Sequence, residues 1–439
     1  MDKKNQEKTL WSGMFILMSG GMKMVESMLQ LDSLGSQVSW FAGCIIGAFL
    51  GGVLVRFVPK KIPFIIAGAL VIVGGIICTS LKTSSAIAAS NWLDGLAFGM
   101  TVLMFIIVAG ENSDSNKRGA MVSIEALAVS TGILIFTMIQ TIFAVAKVGS
   151  SSFTVVQTQG ILSIIFGLAA CVLGFFFFIE TPVYHLMKGD QNEAINAITA
   201  LNNETSPSIA TSRFYEELKE YVHYDESKSI QQHIVDGLVP LAKITVVRVF
   251  MTLTIIPPAS TEYFIATFAG YRIDYGMIFF GLSRFIGVFI GQLALIDKIG
   301  RKKTLAICSL VIGILFIVIG SMADNFLKSS NMITVATLII ISSFFCGMSQ
   351  NVSSVYFSEA FPPSIKSGMI FAGIFIENIV VIIVFAALQD QIKFNSYFIV
   401  VGVFQIMIAV MAVTLLPETK HLTLQRAMEF LQGLLNIGF

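Results

Sequence analysis

Apolar residues gather along this chain into long, nearly unbroken runs, and polar residues gather between them. The runs fall at 10–29, 37–58, 63–80, 87–109, 122–144, 159–178, 245–269, 277–296, 304–321, 331–357, 368–388 and 396–416. Each is about 20 residues, enough for a helix to cross ~30 Å of hydrocarbon. The pattern therefore predicts an all-α membrane protein of twelve transmembrane helices, six on each side of a polar interval. It divides the chain into a first six-helix half at 1–180, a linker at 181–243 and a second half with a polar tail at 244–439. Within the linker, helical stretches are expected around 191–203 and 212–224.

The second set of runs repeats the first. The charged turn Asp297-Lys298-Ile299-Gly300-Arg301-Lys302 lies over Arg56-Phe57-Val58-Pro59-Lys60-Lys61 at a shift of 241. Glu111 with Arg118-Gly119 lies over Glu359 with Lys366-Ser367 at a shift of 248, and Glu180-Thr181 over Glu418-Thr419 at 238. Three echoes in one order at nearly one shift mark a duplicated chain whose copies run in the same direction.

Composition narrows the class. At 55% hydrophobic and 13% charged, with a mean hydropathy of +0.82, the chain lacks the charge that a soluble exterior of this size needs. A net charge of +1 argues against a nucleic-acid partner. The five cysteines sit inside apolar runs, and no Cys/His/carboxylate spacing accompanies the four histidines. No metal, cofactor or enzymatic chemistry is expected from that set. The polar start at 1–9 leads into a run of spanning length, so no cleavable signal is expected. Lysine and arginine are divided unevenly: with both termini inside, twenty of the 28 fall in inner segments, five in outer loops and three within spans. That bias predicts cytoplasmic termini.

These motifs together resemble the sugar porter family of the major facilitator superfamily, most closely its insect trehalose-transporter-like branch. The family's Asp-x-x-Gly-Arg-Arg/Lys is met by Asp297, Gly300, Arg301 and Lys302, and its Pro-Glu-Thr-Lys-Gly by Pro417-Glu418-Thr419-Lys420-His421. Its Glu-x-x-Pro-x-x-x-Arg appears as Glu359, Pro362 and Lys366; Glu111, Arg118 and Glu180 fit the matching places in the first half. The resemblance implies the major facilitator fold and a secondary transporter, with no cofactor, moving a small polar solute by alternating access. A sugar or sugar-like compound is expected, with protons as a possible second passenger. It further implies a monomer in the bilayer of the plasma membrane. A solute-binding relative that no longer transports, or a carrier of a non-sugar cationic solute, is the alternative.

The resemblance assigns Glu111, Arg118, Glu180, Asp297, Arg301, Glu359, Lys366 and Glu418 to a charge latch on the cytoplasmic face. Such pairs hold the halves together there and part when that face opens. Arg56 stands where the family has Asp and Pro59 where it has Gly, so this loop offers only positive charge, to meet Glu111 or Glu180. In the central cavity, the family's sugar-binding polar groups fall on Ala126, Phe250-Met251, Ile256 and Ser354, and its span-eleven Asn-Trp pair on Glu377-Asn378. Unpaired sugar hydroxyls there would cost ~1–3 kcal/mol each. Glu377 and Arg284 lie deep in their runs, where a charge costs at least ~2.5–3.5 kcal/mol and must face a cavity or a partner. Both are cavity candidates, and Arg284 is the expected partner if Glu377 is tied up. Lys23 and Glu26 are expected to pair on one helix face, and Glu125 to join the cytoplasmic charges. Pro257-Pro258 must kink or break span seven and mark it as a gating helix.

Overall fold

The computed structural model describes residues 4–29, 34–81, 83–145, 154–255, 276–322, 332–388 and 394–433. Among them the chain is helical throughout. The first half comprises α1 (Lys4–Met28), α2 (Leu34–Phe57), α3 (Lys61–Ser80), α4 (Ser84–Glu111), the short α5 (Arg118–Val122), α6 (Ile124–Val145) and α7 (Val155–Phe177). The linker forms α8 (Pro182–Met187), α9 (Gln191–Leu201) and α10 (Ile209–Glu226). The second half comprises α11 (Ile230–Leu253), α12 (Gly276–Ile290, widening into a π turn at Gly291–Leu295), α13 (Arg301–Met322), α14 (Met332–Glu359), α15 (Pro363–Leu388) and α16 (Phe394–Leu415). A last helix, α17 (Leu424–Gln432), follows. Ten of these segments are long and apolar enough to cross a membrane, α5 and α6 counting as one. The more polar α1 and α11 take the positions of spans one and seven.

Span seven differs from its sequence reading at its start. The apolar run begins at 245, yet α11 starts at Ile230 with a capping box in which Ser229 and Gln232 satisfy each other's backbone N–H groups. Hydropathy detects only the part of a helix that needs lipid; capping detects where the helix begins. Ile256, Pro257 and Pro258, with the expected kink, lie outside the described residues.

The duplication is legible in the packing. Helix α1 packs on α6 as α11 does on α15; α2 on α4 as α12 on α14; α3 on α7 as α13 on α16. Contacts of α2 with α15, α6 with α12 and α4 with α14 join the halves. Close approach needs glycine: a Cβ at Gly43 or Gly47 of α2 would strike the Trp92 or Leu96 carbonyl of α4, the small-residue contact typical of membrane helices. In α4 the apolar window is 94% buried, against 33% in α7, so α4 is central and α7 peripheral. Ile66, Val73, Ile165 and Leu168 on α3 and α7, and Ile307, Leu310, Val403 and Val410 on α13 and α16, are exposed. That apolar belt suits contact with lipid tails.

Polar structure collects at one end of the bundle. Val183, Ile198, Phe214, Leu218 and Tyr221 of the linker helices share a small separate core with Leu424 and Met428 of α17. Near the chain start, the Asn5 amide donates to the Ala200 carbonyl at 2.8 Å. The start of α1, the linker helices and α17 thus share one face.

Candidate functional site

A cavity lies at the centre, where the two halves meet. About 60 Å³ of it is open to water centres, and its walls include Trp40, Cys44, Glu125, Ala126, Arg248, Met251, Gln350, Ser354, Glu377 and Asn378. The structure therefore brings Ala126, Ser354, Glu377 and Asn378 together. Ile256 is outside the described residues, and Phe250 turns away to stack on Phe404 at 4.3 Å.

Arg248 organises this centre, although by sequence it reads only as a charge near one end of span seven. Its Nε donates to Glu377 Oε2 at 2.5 Å, and its Nη1 to Ser354 Oγ at 3.0 Å. Its Nη2 lies 3.5 Å from Glu125 Oε1, and the guanidinium sits over the Phe357 ring at 5.9 Å. The Thr252 hydroxyl also donates to Glu377. Two expectations are corrected here. Glu377 pairs with Arg248 instead of Arg284, whose Nη2 donates to Gln350 Oε1 at 2.7 Å from behind the cavity wall. Glu125, in the first turn of α6, lines the cavity and turns to Arg248 instead of joining the charges of the polar face. Arg248 belongs to span seven and Glu125 to span five, so their pair joins the halves. With both carboxylates ionised, these three groups leave the centre a formal charge of one negative.

A second buried cluster lies within the first half. Lys23 Nζ and Glu26 Oε2 are 2.6 Å apart, as their spacing predicts. Nearby, Asp94 of α4, absent from the sequence reading, accepts from Ser19 Oγ at 2.6 Å and from the indole of the cavity residue Trp40 at 3.4 Å.

At the polar face the charged motifs meet in pairs that respect the repeat. Glu111 of the first half lies 3.6 Å from Lys366 of the second, and Arg118 of the first lies 3.5 Å from Glu359 of the second. Since Glu111 corresponds to Glu359 and Arg118 to Lys366, these are one contact made twice across the pseudo-twofold. Within the second half, Arg301 reaches Glu359 at 3.0 Å and Asp297 at 3.6 Å. Asp297 also crosses the seam, accepting from the Ala120 N–H at 2.8 Å. Burial pushes the Asp297 carboxyl above its ordinary range, and the Arg301 guanidinium pulls the other way. Glu180 and Glu418 play matching parts. Glu180 accepts from the Lys60 N–H at 2.6 Å ahead of α3, and Glu418 accepts from the Arg301 and Lys302 N–H groups at 3.1 and 3.2 Å at the start of α13. Each carboxylate offsets the positive end of a helix dipole. Gly300, at φ +111°, makes the turn before α13, and a side chain there would strike Glu418. The positive loop after α2 meets Glu180 as expected, through Lys60, whose Nζ lies 3.2 Å from Glu180 Oε1; Arg56 itself donates from Nε to Ser367 Oγ at 3.3 Å.

Twelve spans in two repeated halves, a cavity on the axis between them and a polar face closed by inter-half ion pairs define a transporter of the major facilitator class. A family model described as "Sugar (and other) transporter" matches residues 5–430, and the chain belongs to that family. It is 22% identical over 413 residues to hexose transporter 1 of Toxoplasma gondii, covering 89% of this chain and 72% of the relative. It is 25% identical over 394 residues to the arabinose-proton symporter of Bacillus subtilis, covering 87% and 83%. Its fold matches that of the proton:xylose symporter XylE bound to 6-bromo-6-deoxy-D-glucose, with a TM-score of 0.75, 16% identity and 97% of each chain covered. The protein is a multi-pass secondary transporter that moves a small polar solute by alternating access.

Proposed function

We propose that the solute is a sugar or sugar-like compound, bound in the central cavity and contacted by Glu377, Asn378, Ser354 and Gln350 with Arg248 at their centre. The observation that carries this reading is the bridge Glu125–Arg248–Glu377, which spans both halves at the cavity. When the halves rock, the Glu125–Arg248 contact must lengthen. Its polar groups then become free for solute hydroxyls, which a carboxylate or guanidinium binds through charge-assisted hydrogen bonds. The small cavity volume fits a closed state that must widen to admit a sugar. The relatives that are hexose and pentose carriers support the substrate class. The bridge takes over the polar work of the family groups replaced by Ala126 and Met251.

The cavity's net negative charge favours a proton, or a cationic group on the solute, as a second passenger. The polar face is read as cytoplasmic, from the lysine and arginine bias, with the protein acting as a monomer in the plasma membrane. The charge pairs there act as a latch that holds this face closed. Vesicles containing the purified protein test the reading with labelled hexoses, pentoses, trehalose and glucosamine, with and without a pH gradient. Saturable uptake of a neutral sugar supports it. Acceleration by the gradient adds proton coupling. Uptake of glucosamine alone moves the substrate class to cations, and uptake of none of the panel contradicts the reading.

A further inference from the structure

A second cavity, of about 310 Å³, opens at the polar face between the halves. Arg56, Lys60 and one carboxylate, Glu111, line it from the first half, Lys188 and Tyr184 from the linker helix α8, and Lys366 and Ser367 from the start of α15. Lys60 and Lys366 are buried and committed, to Glu180 at 3.2 Å and to Glu111 at 3.6 Å. Asp225 is committed too, accepting from the Ser364 hydroxyl at 2.6 Å. The other two cations differ. Arg56 contacts the Ser367 hydroxyl and Lys188 the Tyr184 hydroxyl, and among the described residues neither has a carboxylate partner. The sequence of this loop carries only positive charge, and solute transport through the central cavity makes no use of it.

We infer that this cavity is a binding site for a phosphate ester. An arginine fork, a lysine ammonium and the hydroxyls of Ser367 and Tyr184, which accept from those cations and keep their own hydrogens, converge on one space, and that donor set is one that a phosphate with three acceptor oxygens satisfies. A carboxylate offers two oxygens and one charge, and leaves part of that set unused. The space holds a phosphate together with part of the group that carries it. Two sources have the same chemistry: an inner-leaflet phosphoinositide headgroup, for which basic pockets between membrane helices are suited, and a soluble organic phosphate. The lipid source rests on the reading that this face is cytoplasmic. Because Arg56 belongs to α2 and Ser367 to α15, a bound phosphate bridges two helices that must separate when this face opens. It therefore favours the closed state and slows transport.

The full-length protein in detergent, with no solute, is titrated with sodium pyrophosphate at constant ionic strength while its thermal unfolding midpoint is followed. The same midpoint is measured in phosphatidylcholine vesicles with and without phosphatidylinositol 4,5-bisphosphate. A rise with pyrophosphate assigns the site to soluble phosphates, and a rise only with the lipid assigns it to the headgroup. Arg56→Gln with Lys188→Gln should weaken the response roughly tenfold or more, the loss expected from charge-assisted contacts. These side chains hold no carboxylate, so the variant should keep the wild-type midpoint without ligand. Lys219→Gln, an exposed lysine elsewhere on this face, should keep the full response. The inference is overturned by no rise with either probe, or by an equal rise in the double variant. Binding is read without transport, so a protein that carries nothing in vesicles still gives a clear answer.

Discussion

At the scale of residues, the account turns on Arg248. A buried guanidinium stripped of one of its carboxylates costs ~3–5 kcal/mol, mostly the penalty of leaving the remaining charge unsatisfied. Glu377→Ala should therefore lower the thermal midpoint sharply, and adding Arg248→Met together with Glu125→Gln, which removes the other buried charge, should recover much of it. A Glu377→Ala protein as stable as wild type would contradict the bridge. Glu377→Gln keeps the shape and loses the charge; it should fold and show altered uptake or altered pH dependence of uptake. Glu377 was legible in the sequence because it sits mid-run, where a charge demands a reason. Arg248 was not, because it lies three residues inside a run that begins at 245, where a cation reads as one end of a span. Only the packing of α11 against α15 shows what it faces. Asp94 lies seven residues inside its own run, so the same depth argument applies to it; what set Glu377 apart was its match to a family position, which Asp94 lacks.

At the scale of elements, the repeat carries most of the prediction. Twelve runs and their order were readable from hydropathy, and the matching charged motifs from the shifts near 240. The start of α11 was not, since a helix continuing into the polar linker needs no apolar residues once capped. The exact pairings at the polar face also lay beyond the sequence, which shows that Arg118 and Glu359 are motif residues without showing that they meet. Arg118→Ala and Lys366→Ala should each remove one crossed contact, worth ~1.5–3 kcal/mol when buried, and shift the population towards opening at this face. Ser358 is buried, where a Cβ at Gly110 of the other half would strike it, so a Ser358→Cys thiol reports on that opening. Its alkylation should speed up in both variants, and unchanged rates would contradict the latch. Helix contact is tested by Gly47→Val, whose side chain must push α2 from α4. Overpacking of ~1–3 kcal/mol or more is expected, read as a lowered midpoint; an unchanged midpoint would contradict the close approach.

At the scale of the whole molecule, the chain is two copies of one six-span unit facing each other across a polar axis, closed at one face by crossed ion pairs and at its centre by Arg248. The orientation proposed from charge predicts that a cysteine at exposed Ser85 reacts from outside an intact cell, and one at exposed Lys303 only after permeabilisation. The reverse would invert the topology. Alternating access makes the most direct demand of all, that the two halves take up two separations at the polar face. Spin labels at exposed Asn116 and Lys303, one on each half, report this as a distance distribution in lipid discs. The account predicts a short and a long population, with the long one enlarged by Arg118→Ala. A single distance that neither the solute panel nor Arg118→Ala changes would contradict it.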